Sequence, residues 1–94
     1  MPVAKRCYIV SFETAEQAVA DSLHATIKEY GTWARITATT YAIVTDESAA
    51  EITVYLSNIM GESDRLFVVR AGSDAAWLEV RCNPEWLKKH LKNG

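Results

Sequence analysis

The sequence predicts an α+β fold in which two helices alternate with four strands. Three observations carry this: four short runs rich in β-branched and aromatic residues, two capping-box signatures that each open an apolar stripe of helical period, and a glycine that closes each stripe.

The first run, residues 5–12, reads as a strand. Tyr8, Ile9 and Val10 form a continuous apolar stretch flanked by Cys7 and Phe12, as in a central strand covered on at least one face. Thr14-Ala15-Glu16-Gln17 then reads as a capping box, in which the threonine oxygen accepts from the amide three residues on and Gln17 reaches back. Val19, Leu23, Ile27 and Tyr30 follow at three- and four-residue steps, and Gly31 supplies the left-handed residue that ends the helix. Residues 33–38 and 41–45 are two further strands, with a tight turn near Ala38-Thr39. Ser48-Ala49-Ala50-Glu51 is the second capping box, Ile52, Leu56, Ile59 and Met60 mark the buried face of its helix, and Gly61 stops it. Residues 66–70 form the fourth strand. Gly72-Ser73-Asp74 reads as a turn, residues 76–80 as a short fifth strand, and Asn83-Pro84-Glu85 opens a terminal helix with the asparagine as cap.

This order is that of a split βαββαβ, or ferredoxin-like, sandwich. It has a four-stranded antiparallel sheet, both helices on one face, and the fifth strand and C-terminal helix as appendages. At 94 residues, one domain spanning 1–94 is expected. A chain of this length buries only roughly two-thirds of its unfolded surface, so its stability is modest or shared with a partner. Leu23, Ile27, Leu56 and Val68 are expected in one core between sheet and helices.

Charge excludes some functions. Ten Lys and Arg against 12 Asp and Glu give a net charge of −2, so only a local patch can attract nucleic acid or an anionic membrane. The opening Met-Pro-Val-Ala-Lys-Arg leads into an apolar run too short for a signal peptide or a membrane span, and a cytoplasmic chain is expected. In that compartment Cys7 and Cys82 are expected as buried free thiols.

Few residues carry candidate chemistry. Glu13, after the first strand and before a helix, is the candidate catalytic carboxylate; its plainer reading is a solvated acid favoured by the helix dipole. His24 and His90 have no Cys, His or carboxylate at metal-ligand spacing and read as surface histidines. The four glycines are scattered and form no phosphate loop, and no cofactor is expected. Trp33 and Arg35 are the candidate pair for base stacking and phosphate contact. Trp86, Leu87 and Leu91 make a short apolar stripe that can cover the open face of the sheet or dock on a second subunit, and they are the candidate dimer or partner interface.

Taken together, Gly31-Thr32-Trp33, Thr39-Thr40-Tyr41, Val44-Thr45-Asp46, Asp64-Arg65-Leu66-Phe67-Val68-Val69, Ala76-Trp77 and Trp86-Leu87 resemble the small bacterial SinR-like family. That family is similar to the CRISPR-associated adaptation-subunit nucleases and to virulence-associated protein D. The resemblance implies a ferredoxin-like fold and a homodimer. In nuclease members of the wider group an aspartate closing the first strand serves divalent-metal-dependent phosphodiester cleavage. Tyr8-Ile9-Val10-Ser11-Phe12-Glu13 matches that segment with a glutamate in the aspartate's place. The extra methylene moves the carboxylate by about one C–C bond length, which matters where Mg²⁺ demands near-octahedral geometry. The expected function is a dimeric, non-catalytic interaction module in a mobile-element, toxin–antitoxin or phage-defence setting. The alternatives are a Mg²⁺-dependent endonuclease using Glu13, and a small immunity or antitoxin protein that binds a toxin.

Overall fold

The computed structural model describes residues 5–72 and 75–91. Residues 1–4, which belong to the N-terminal expectation, and Ser73 and Asp74 of the predicted turn lie outside them. The elements are β1 (Arg6–Glu13), α1 (Gln17–Lys28), β2 (Trp33–Thr37), β3 (Thr40–Thr45), α2 (Ala49–Ser57), β4 (Arg65–Arg70) and α3 (Pro84–Leu91). The strands form one sheet in the order β2-β3-β1-β4, and every neighbouring pair is antiparallel.

Alternation along β1 decides the layering, because successive side chains of a strand point to opposite faces. Tyr8, Val10 and Phe12 share one buried core with Tyr41 and Ile43 of β3, Leu23 and Ile27 of α1, and Ile52 and Leu56 of α2. Leu66 and Val68 of β4 pack against the same core. The opposite face carries Cys7 and Ala42, which form a second core with Ala71 and with Leu87 and Leu91 of α3. The sheet is thus covered by α1 and α2 on one side and, over part of its area, by α3 on the other. Coverage on both faces is why β1 reads as a continuous apolar run.

The second capping box forms as expected: Glu51 N–H donates to Ser48 Oγ at 3.1 Å and Ser48 N–H donates to Glu51 Oε1 at 2.9 Å. The first does not. Helix α1 begins only at Gln17, with Glu16 as N-cap and no side-chain cap bond. Thr14 Oγ1 instead accepts from the Glu16 amide at 3.2 Å, closing a local turn, and the Thr14 side chain also bonds to Asp64. A short polar side chain that can satisfy nearby groups competes with the cap it was expected to make. Gly31 closes the helix as expected, at φ +86°, where any other residue would be strained.

The fifth strand is absent. Residues 76–80 carry no strand, Glu79 is turned into the left-handed region at φ +55°, and just past the segment Arg81 N–H donates to Ile36 C=O at 3.0 Å. The β2 edge is irregular at that point, with a register shift between Arg35 and Thr37, so regular pairing cannot continue along it. Trp77 and Val80 of the expected strand instead pack on the second core. No helix among the described residues is long and apolar enough to cross a membrane.

The ladder phase follows from its ends. Ala71 N–H donates to Cys7 C=O at 2.9 Å, and Phe12 N–H to Thr39 C=O at 3.1 Å. Hydrogen-bonded pairs alternate in an antiparallel ladder. Odd residues of β1 therefore bond to β4 and even ones to β3. On β4, Arg65, Phe67 and Val69 turn their backbone groups to β1, while Leu66 and Val68 turn theirs to the open edge.

Candidate functional site

Glu13 ends β1 on the sheet face that carries α3, but beyond the area that α3 covers. It lines an open cavity of about 490 Å³ with Ser11, Phe12, Thr14, Thr39, Arg65, Leu66 and Phe67. The β1–β4 register sets Glu13 opposite Arg65, and the Arg65 Nε lies 3.6 Å from its carboxylate. Both side chains are largely exposed, at 74% and 82%, so the pair adds little stability. The other acid at this end, Asp64, is held by the loop. It accepts from the Gly61 amide at 2.7 Å, and its hydrogen bonds to Thr14 and then Gly61 keep its carboxyl below the usual range.

One carboxylate beside a guanidinium does not fit a divalent cation, which needs several oxygen ligands and no competing positive charge. Among the described residues no group of three His, Cys, Asp or Glu side chains could hold a metal ion. Protein assayed on single- and double-stranded substrates at low salt with Mg²⁺ or Mn²⁺ is therefore expected to show no cleavage that Glu13→Ala removes. Metal-dependent turnover lost in a Glu13→Ala variant still folded by circular dichroism would restore the carboxylate to catalysis.

Trp33 and Arg35 stand two residues apart on β2 and so share a face of the sheet. The structure brings them together with residues far along the chain: a groove of about 240 Å³ is lined by Trp33, Ala34, Arg35, Arg81, Cys82, Asn83 and Trp86. The Lys28 ammonium lies 5.3 Å from the centre of the Trp33 ring, within cation–π range, and the Tyr41 ring is 6.0 Å away. Arg35 Nη2 donates to Ala38 C=O at 2.9 Å, which fixes the guanidinium across the β2–β3 turn, while its Nε is buried with no hydrogen-bond partner among the described residues. Trp86 packs on the His90 ring at 4.3 Å.

The tail is already in use. Leu87 and Leu91 are 1% and 7% exposed in the chain's own second core, so these two side chains are not open to a partner in this conformation. Trp86 is half-buried and faces the groove. What the sheet leaves open is β4, where Phe67 is 62% and Val69 41% exposed.

Two expectations need correction. His24 is not a surface histidine. It is half-buried, its Nδ1 is 2.6 Å from Tyr41 Oη, and Phe12 meets its ring edge-on at 5.3 Å. Burial, and then the charges of Arg35 and Lys28, lower its pKa, against a smaller opposing effect of Asp21. Burial raises the Tyr41 pKa, and the imidazole tautomer sets which of the two groups donates in the His24–Tyr41 bond. His90 is likewise half-buried, and its pKa is lowered by burial and by Lys89. Both thiols are free; Cys7 is buried and pushed up to about 11 by desolvation, whereas Cys82 is only half-buried.

The lowered His24 pKa has a sign. The folded chain binds fewer protons than the unfolded one, so stability is full above the ordinary histidine range and falls as pH drops through it. The urea midpoint is expected to be lower at about pH 5 than at about pH 7, and the drop to shrink in His24→Gln, with His90 carrying the remainder. An equal drop in the variant would remove His24 from the effect.

Comparison of the chain with protein-family models, with curated proteins and with solved structures finds no match.

Proposed function

We propose that the chain is a non-catalytic interaction module of ferredoxin-like fold that works in the cytoplasm as a homodimer joined through β4. The ferredoxin-like reading is supported by the βαββαβ order, by α1 and α2 packing on one face, and by the strand order, which from the other edge reads β4-β1-β3-β2. It is also what the likeness to the SinR-like family implies.

The observation that carries the dimer is the self-complementary β4 edge. Leu66 and Val68 offer backbone donors and acceptors outward, and Phe67 and Val69 hold exposed apolar side chains on one face. An edge of this kind is a template for another strand. A two-fold axis perpendicular to the sheet keeps each side chain on its own face, so opposed residues must differ by an even number. Two registers pair five of the six β4 residues with a second copy, and the one that sets the exposed Phe67 and Val69 side by side puts Val68 opposite Val68 of the second copy, where each donates to and accepts from the other. Phe67 then lies opposite Val69 of the second copy, on the same face. Two such pairs bury the exposed side chains and make one eight-stranded sheet.

The same register sets the two Glu13 carboxylates about six residues apart along the strand direction, or about 20 Å. The second copy therefore adds no metal ligand beside Glu13, which favours the non-catalytic reading over the endonuclease. Light scattering at micromolar concentration is expected to give twice the 10.5 kDa chain mass. A mass of 10.5 kDa would remove the dimer.

A further inference from the structure

The groove at the opposite edge of the sheet lies outside the dimer reading and does not depend on it. We infer that the β2 edge binds single-stranded nucleic acid, with Trp33 and Trp86 as stacking surfaces for bases and Arg35 and Arg81 as ligands of the phosphate backbone. Four features of the groove carry this.

The first is composition. Two indoles and two guanidiniums line the same 240 Å³ groove, and among the described residues no carboxylate lines it. The second is charge. Lys28, held 5.3 Å from the Trp33 ring, adds a third cation to this edge. The net charge of −2 belongs to the whole chain, whereas a strand in the groove feels charges within about a Debye length, about 10 Å at 0.1 M salt. The third is preorganisation. Arg35 is fixed by its bond to Ala38 C=O, and Trp33 is steadied by Lys28 and Tyr41 beside its ring, so ligand binding need order little. The fourth is shape. The groove follows a strand edge and is small, matching a backbone tracked one or two nucleotides at a time rather than an enclosed small molecule.

Stacking decides the class of ligand. An acidic peptide would satisfy the guanidiniums but has no use for two indoles, whereas every base presents a π-face to them. A duplex hides those faces in its own stack. The site is thus specific for single strands and indifferent to base identity.

The test is fluorescence anisotropy with labelled oligo(dT) and oligo(U) of about 12 nucleotides in about 50 mM salt, with an Asp/Glu-rich peptide and a duplex of equal length as competitors. Micromolar binding of either oligonucleotide, with quenching of tryptophan fluorescence, is expected. Two phosphate contacts, from Arg35 and Arg81, predict that the logarithm of the binding constant falls with that of salt concentration at a slope of about −1.4. Arg81 is exposed, so Arg81→Glu is expected to weaken binding at least about tenfold while leaving the circular dichroism spectrum and the urea midpoint unchanged. Three results would overturn the inference: no binding of either oligonucleotide at about 200 µM protein, an affinity unchanged by Arg81→Glu, or displacement by the acidic peptide or the duplex at concentrations equal to the oligonucleotide's.

Discussion

Replacing Leu56 by alanine is expected to lower the unfolding free energy by about 2–5 kcal/mol, the range for leucines removed from packed cores. Leu56 is fully buried, and with Ile52 it is one of the two buried side chains of α2. That helix has only nine residues, too few to persist by propensity alone, so its existence depends on this contact. A domain of this length has roughly 5–14 kcal/mol of stability in all, so the loss is a large share of it. Helix α2 also lies over β4, so the substitution loosens the strand whose edge is offered for pairing. Val54, on the same helix but 65% exposed, supplies the contrast: Val54→Ala is expected to change stability by no more than about 0.5 kcal/mol. Urea denaturation of both variants reads the difference, and a Leu56→Ala loss below about 1 kcal/mol would mean that α2 packs in another register.

Elements whose local signals agree with their packing could be read from the sequence. Strand β1 is apolar without a break over residues 7–10 because both of its faces are covered there, and α2 opens at a serine and a glutamate three residues on that cap it reciprocally. Where a side chain had a choice, the sequence did not show which partner it would take. Thr14 is drawn into its own turn and to Asp64, and the helix starts late. Trp77 and Val80 announce burial, but burial does not reveal whether the backbone pairs, and here a bulged edge prevents it.

The candidate sites divide in the same way. Trp33 and Arg35 are neighbours by the two-residue period of a strand, so their pairing was readable. Arg81 and Trp86 join them only through the docking of α3 on the far face, and no local pattern points there. His24 looked like a surface residue because its partner, Tyr41, is 17 positions away on another element. The Arg65 that neutralises Glu13 is likewise a product of register. Its effect is to turn a candidate metal ligand into half of an exposed ion pair.

Proline substitution along β4 is expected to separate folding from dimerisation, because the ladder phase makes adjacent positions opposite in kind. Proline lacks an amide proton, and in strands it is tolerated where that proton would point away from the sheet. Val68 turns its amide outward, so Val68→Pro should leave the β1–β4 ladder whole and the chain folded, at the cost only of the half-buried side chain's packing on the first core. In the dimer the same substitution removes both bonds that the opposed valines exchange and thrusts a ring at each partner's backbone. Association should weaken at least about a hundredfold, giving a folded monomer by light scattering. Phe67 turns its amide inward, onto Ser11 of β1. Phe67→Pro breaks that bond, and it should cost about 3 kcal/mol or more of stability. The side chain itself is 62% exposed, so little of that loss can come from packing. A Val68→Pro protein that is folded and still dimeric would show that the copies meet elsewhere. A Phe67→Pro protein as stable as the unsubstituted chain would show that the ladder phase is the reverse of the one deduced from Ala71 and Cys7.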